Sequence, residues 1–169
     1  MKRLWLILIL AAMLWGCGQK ETASPGGKGS FGLSELPGIV LKDLDGIEHD
    51  LLDYKGKVLI VNFWATWCGP CKKEIPDFIE LKDEYGERGL EIIGISLDDS
   101  LRDAREYSRA NKINYPVLYK DKEMRVVELF GGLKGIPTSF IIGRDGKVVA
   151  KFIGLRDKET FEQVLLQYL

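Results

Sequence analysis

Cys68 and Cys71 are separated only by Gly69 and Pro70, directly after Trp67. Two cysteines at this spacing can close a small disulfide and reopen it. They follow the apolar run Val58-Leu59-Ile60-Val61-Asn62-Phe63-Trp64 and open a helical pattern, so the pair lies where a strand hands over to a helix. A thiol at a helix N-terminus faces unpaired backbone N–H groups and the positive end of the helix dipole. Both favour the thiolate, the species that attacks disulfides. The pattern points to thiol–disulfide exchange, with Cys68 as nucleophile and Cys71, one turn further in and more buried, as the resolving thiol.

Other chemistries fit these residues less well. Zinc wants four ligands, usually Cys and His at close spacing. The single histidine, His49, stands apart from the cysteines and reads as a surface hairpin residue, so no metal and no Cys–His hydrolase is expected. A peroxiredoxin-like peroxidase would carry Pro and Thr upstream of one cysteine, and Ala65-Thr66-Trp67 lacks the proline. A non-enzymatic copper carrier using the two thiolates is the other alternative. A peroxidase assay and a copper titration separate these from exchange. The net charge of −1 and the lack of a basic stripe argue against a nucleic-acid partner.

The third cysteine belongs to a targeting pattern. Lys2 and Arg3 form a short positive region and Leu4 to Leu14 an apolar one. Leu14-Trp15-Gly16-Cys17 resembles a lipobox, which implies lipidation of Cys17; Trp15 departs from the small residue usual there. The expectation is a signal or lipoprotein segment over residues 1–17, a flexible linker over 18–35 and a folded domain over 36–169. The domain would then be tethered to a membrane outside the cytoplasm, periplasmic or on the outer face of the cytoplasmic membrane. With Cys17 lipidated, Cys68 and Cys71 are the only thiols left. So short a loop is a poor staple, because it removes little unfolded-state entropy.

The elements that must position this pair can be read from apolar spacing. A small hairpin is expected over Ile39 to Leu52, with Asp45-Gly46 at its turn. Val58 to Trp64 and Leu90 to Leu97 read as buried strands. The helix after the cysteines carries Ile75, Phe78, Ile79, Leu81 and Tyr85, with Pro76 expected to kink it. A second helix spans Leu101 to Asn111, a short extended piece Tyr115 to Tyr119, and a short helix Lys122 to Phe130. Thr138 to Ile142 and Lys147 to Ile153 flank the turn Gly143-Arg144-Asp145-Gly146. A final helix over Asp157 to Leu169 places Phe161, Val164, Leu165 and Tyr168 on one side. This order predicts an α/β fold with a central mixed sheet flanked by helices.

Asn62 to Glu74, NFWATWCGPCKKE, resembles the active-site stretch of the TlpA/ResA-like branch of the thioredoxin superfamily. Gly135-Ile136-Pro137-Thr138 is similar to that superfamily's cis-proline loop. The resemblance covers roughly Leu36 to Leu169. It implies a thioredoxin-like fold with an N-terminal β-hairpin and a helical insertion around Leu101 to Asn111. It implies a protein thiol–disulfide oxidoreductase without a cofactor, acting on client proteins with disulfides such as apocytochrome c. Re-reduction would come from a transmembrane electron donor. The potential would lie nearer about −270 mV than about −120 mV.

The resemblance also assigns roles. Pro137 is expected in the cis form, turning the Ile136 backbone toward the disulfide, with Gly135, Ile136 and Pro137 contacting substrate. Trp67 is expected on the exposed rim, where it could cover a partner peptide. Thioredoxins carry a buried Asp where this chain has Asn62, and Asn62 cannot take a proton from Cys71. Glu74, three residues after Cys71 on the same helix, is expected to do so: burial would raise its pKa into the range of a thiol.

Overall fold

The computed structural model describes residues 32–33 and 38–169. The expected signal segment, Cys17 and nearly all of the expected linker lie outside the described residues. Gly32 and Leu33 are the exception, and they do not behave as linker. Leu33 is 2% exposed, and its N–H donates to the Gly146 carbonyl at 2.7 Å. One apolar side chain with a place to pack is enough to pin this stretch to the domain.

Strand β1 (Val40–Lys42) pairs antiparallel with β2 (Glu48–Asp50), forming a separate two-stranded sheet. The main sheet has the order β5-β4-β3-β6-β7. Its strands are β3 (Val58–Trp64), β4 (Leu90–Ser96), β5 (Val117–Tyr119), β6 (Thr138–Ile142) and β7 (Val148–Ile153). β3, β4 and β5 run parallel, whereas β6 runs antiparallel to both of its neighbours, β3 and β7. This is the mixed thioredoxin-like sheet that the resemblance implies, with the tight Gly143–Gly146 turn setting the antiparallel half.

β3 is central and buried throughout, which is why its sequence is almost continuously apolar. Successive side chains still alternate between faces. Val58, Ile60 and Trp64 join one core with helices α1 (Gly69–Tyr85) and α4 (Lys158–Leu165), and with Ala104 of α2 (Leu101–Ala110). Leu59, Val61 and Phe63 join the other, with Leu41, Leu51 and helix α3 (Arg125–Leu129). Asn62 therefore faces α1, and this parity matters for the site.

α1 buries Ile75, Phe78, Leu81 and Tyr85 along one stripe. Ile75, Phe78 and Leu81 are at most 1% exposed, and each stabilises the fold by about 1.5–3 kcal/mol relative to exposure. Pro76 stands inside the helix on its exposed side, and the helix continues past it. A 3-10 turn, Gly86–Arg88, then leads to Gly89, whose φ of 98° suits only glycine readily. α2 and α4 start at Ser100 and Asp157, whose side chains accept the N–H of Asp103 and Thr160.

Two further expectations need correction. The last helix stops at Leu165, and Tyr168 is 39% exposed rather than packed with Phe161 and Leu165. The turn after Leu165 takes Tyr168 out of helical register. His49 is not a free surface residue: its ring meets the Tyr54 hydroxyl at 2.7 Å and Asp43 Oδ2 at 3.2 Å. The hairpin folds back on the turn that follows it and half-buries the ring.

Candidate active site

Cys68 is the N-cap of α1, and its Sγ accepts the Cys71 N–H at 3.2 Å. Pro70 in the first turn has no N–H to leave unpaired there. Cys68 and Cys71 are joined as a disulfide, with an S–S distance of 2.09 Å. The expected contrast in exposure is slight: Cys68 is 5% and Cys71 1% exposed. Position in the helix distinguishes the sulfurs more than access does. Cys68 Sγ sits on the free N–H end of α1, whereas Cys71 is already inside its first turn.

The loop before Cys68 is held by a buried carboxylate. Asp98, 2% exposed at the end of β4, accepts the Thr66 N–H at 3.0 and 3.1 Å and the Thr66 hydroxyl at 2.7 Å. It also accepts the Ser96 hydroxyl at 2.9 Å, and its carbonyl accepts the Tyr119 hydroxyl at 2.8 Å. The Thr66 hydroxyl is thereby committed to Asp98. Trp67, next in line, stands out 70% exposed.

The second loop comes from the far side of β3. The Ile136–Pro137 peptide bond is cis, and the Ile136 carbonyl oxygen lies 3.7 Å from Cys68 Sγ. In the dithiol form a Cys68 S–H could donate to it. Gly135 is exposed and its carbonyl accepts the Thr138 hydroxyl at 2.6 Å, while the Pro137 carbonyl accepts the Gly154 N–H at 2.8 Å. No hydrogen bond joins the Ile136 N–H to another described residue.

Beneath the disulfide, Glu74 is 1% exposed. Its Oε2 accepts the Asn62 amide at 3.1 Å and its Oε1 accepts the Arg156 backbone N–H at 3.1 Å. Burial pushes its carboxyl up to about 7, with Asp77 adding to the rise, against the pull of those two hydrogen bonds and the Arg156 charge. Tyr115 is buried on the same side, and burial together with the Glu74 charge pushes its phenol upward.

Cys68, Cys71, Glu74, Trp67 and the Gly135–Pro137 loop are thus brought to one end of the sheet. Asp98 and Ser139 were not anticipated as site residues. Asp98 reads in the sequence only as part of a loop, and Ser139 carries no signal within its strand. The alternation along β3 did contain the hint that Asn62 faces α1. Among the described residues no group of three or more His, Cys, Asp or Glu could hold a metal ion, and no helix is long and apolar enough to cross a membrane.

The AhpC/TSA family model matches residues 34–151. The thiol-disulfide oxidoreductase ResA of Bacillus anthracis is 40% identical over 131 residues, covering 78% of this chain and 75% of that one. The chain belongs to the ResA-like thiol–disulfide oxidoreductases. Solved relatives agree with this family. A thiol:disulfide interchange protein of the thioredoxin family from Chlorobium tepidum is 33% identical, with a TM-score of 0.70 over 87% of this chain and 98% of the other. A secreted thiol-disulfide isomerase from Corynebacterium glutamicum is 28% identical, with a TM-score of 0.72 over 87% and 95%. This ResA-like chain is accordingly a redox enzyme of the thioredoxin superfamily, acting on disulfide-bearing partners.

Proposed function

We propose that the protein is a membrane-tethered, extracytoplasmic reductant of disulfides in client proteins, apocytochrome c among them. The carrying observation is the Cys68 sulfur at the α1 N-terminus, 3.7 Å from the backbone of a loop whose Ile136 N–H has no hydrogen-bond partner among the described residues. An extended client segment can pair with that backbone as an added strand would. Trp67 beside it supplies apolar cover, and Gly135 and Pro137 shape the loop.

The Cys68 thiolate attacks one sulfur of the client disulfide, and the other client sulfur leaves as thiolate. Cys71 then attacks Cys68 Sγ and releases the client. The client gains two electrons, and the Cys68–Cys71 pair becomes the disulfide seen here. Glu74 takes the proton that Cys71 must lose, a role its raised pKa suits and Asn62 cannot fill. A transmembrane dithiol donor returns two electrons to close the cycle. Lipidation of Cys17 supplies the tether.

The deciding measurement is the equilibrium reduction potential of the Cys68–Cys71 pair, combined with reduction of a protein disulfide by the dithiol form. A potential near about −270 mV supports a reductant. One near about −120 mV would make the protein an oxidant and overturn the proposed direction. Mass spectrometry of the mature N-terminus tests the tether: an intact Met1 with unmodified Cys17 would exclude lipidation.

A further inference from the structure

A client must reach Cys68 past the groups around the α1 N-terminus, so those groups decide which clients arrive. The first turn of α1 carries no acid, although acids are what the positive end of a helix favours. It is followed instead by Lys72 and Lys73, both exposed. Lysines at this end oppose the dipole, a local cost of the kind that proteins retain at functional sites.

Among the described residues, neither ammonium has an ion pair or hydrogen bond, nor has that of Lys134, exposed in the loop that carries Ile136. Some lysines elsewhere find partners, although Lys55, Lys112 and Lys122, like the three at the rim, have none among the described residues. Lys57 and Lys82 hold Glu91, Lys120 holds Asp99, and Lys158 spans Glu80, Glu84 and Glu162. A depression of about 390 Å³ opens beside α1, lined by Lys73, Arg156 and the 41% exposed Leu155 and also by Asp77 and Asp157. Asp77, four residues after Lys73, lines the same depression and partly offsets that lysine, whereas the other acids around the site are already engaged. Glu74 and Asp98 are buried in their own hydrogen bonds, and Asp157 caps α4.

We infer that this rim selects client segments that carry Asp or Glu beside the cystine to be reduced. The inference rests on the proposed exchange at Cys68. An apolar client residue would lie against Trp67 or Leu155, its backbone would pair with Ile136, and its carboxylates would face Lys72, Lys73 and Lys134. The exchange step keeps its balance: one client S–S bond breaks, one Cys68–Cys71 bond forms, and two electrons pass to the client. Charge acts on encounter, by raising the local concentration of acidic segments at the site.

The test uses the reduced full chain and three peptides with one intramolecular cystine, flanked by Glu, by Gln or by Lys. Rates are measured by stopped flow at about 0.02 M and about 0.5 M salt. The Glu-to-Lys rate ratio is the readout, because both peptides meet the same thiolate and its pKa cancels. The expected ratio is about tenfold or more at low salt, falling toward one at high salt. Lys72→Glu/Lys73→Glu and Lys134→Glu should each lower the ratio or invert it. Lys55→Glu, in the turn before β3 at the other end of that strand, should leave it unchanged. A ratio near one at low salt, or one that the rim substitutions do not move, overturns the inference. Failure to reduce the Gln peptide as well would instead strike the exchange reading on which it stands.

Discussion

The Asn62 amide nitrogen lies 3.1 Å from Glu74 Oε2, and the same nitrogen reaches Ser139 Oγ at 2.9 Å. Asn62 and Ser139 are directly paired across β3 and β6, so one amide joins the helix carboxyl to the strand that follows the Ile136–Pro137 loop. Every member is buried, and in such a setting each hydrogen bond matters to the proton affinity of the acid.

Replacing Glu74 with Gln should remove a pH dependence of stability. The folded-state pKa of about 7 stands above the usual 4.5, so the folded protein binds this proton more tightly than the unfolded chain. The stabilisation is complete below about pH 4.5 and is lost as pH rises through about 7, an amount on the order of 3 kcal/mol. Urea unfolding of the oxidised protein should show this fall, and Glu74→Gln should flatten it. The pH profile of disulfide exchange should move as well. If only overall stability shifts, Glu74 plays no part in proton transfer.

Asn62→Asp would set a second carboxyl beside Glu74, where the amide now donates. Two buried carboxyls at that distance cannot both ionise and would share one proton. The apparent pKa of the pair's second ionisation should rise above that of Glu74 alone. The exchange profile between pH 6 and 9 should shift toward higher pH, which rapid-mixing assays across that range would detect (a window set by roughly one to two units about the thiol region).

Cys68→Ser should abolish exchange, whereas Cys71→Ser should trap a mixed disulfide between Cys68 and a client. The assignment rests on Cys68 at the helix cap and Cys71 inside the first turn. Non-reducing gels of the two variants with a cystine protein decide it. Equal trapping by both would cancel the distinction.

Asp98→Ala should loosen the loop that leads into Cys68. It would leave the Thr66 N–H, the Thr66 hydroxyl and the Ser96 hydroxyl without their buried acceptor. The expected loss of stability is on the order of 3 kcal/mol, since bonds to a charged acceptor exceed neutral ones. Asp98→Asn, which keeps one acceptor oxygen, should lose less. Denaturant midpoints at constant slope measure the difference.

Gly94→Ala tests the packing behind the site. An added Cβ would stand 2.9 Å from Trp64 Nε1 and 3.4 Å from a ring carbon of Tyr115. Trp64 is fully buried and its indole N–H has no hydrogen-bond partner among the described residues, so the ring is held by the packing that the methyl would disturb. A loss of about 1–3 kcal/mol is expected, with a change in tryptophan fluorescence.

The chemistry of this protein was legible because it is local. Cys68, Gly69, Pro70 and Cys71 share one helix start, and strand, cap and dithiol follow from neighbouring residues. The seven-residue β3, the α1 stripe and the Gly143–Gly146 turn were likewise written as apolar period or turn composition. Other features depend on residues far apart in the chain. Leu33 reads as the end of a polar linker until the Gly146 turn offers it a place to pack. Asp98 reads as loop until the parallel pairing of β3 and β4 sets it under Thr66. Glu74 could be placed near Cys71 from spacing, but its donors, Asn62 and the Arg156 N–H, arrive from β3 and from the segment after β7. Sequence period determines which face a side chain takes. Only the packing of strands and helices decides which distant group meets it there, and in a buried site that meeting sets the proton affinity.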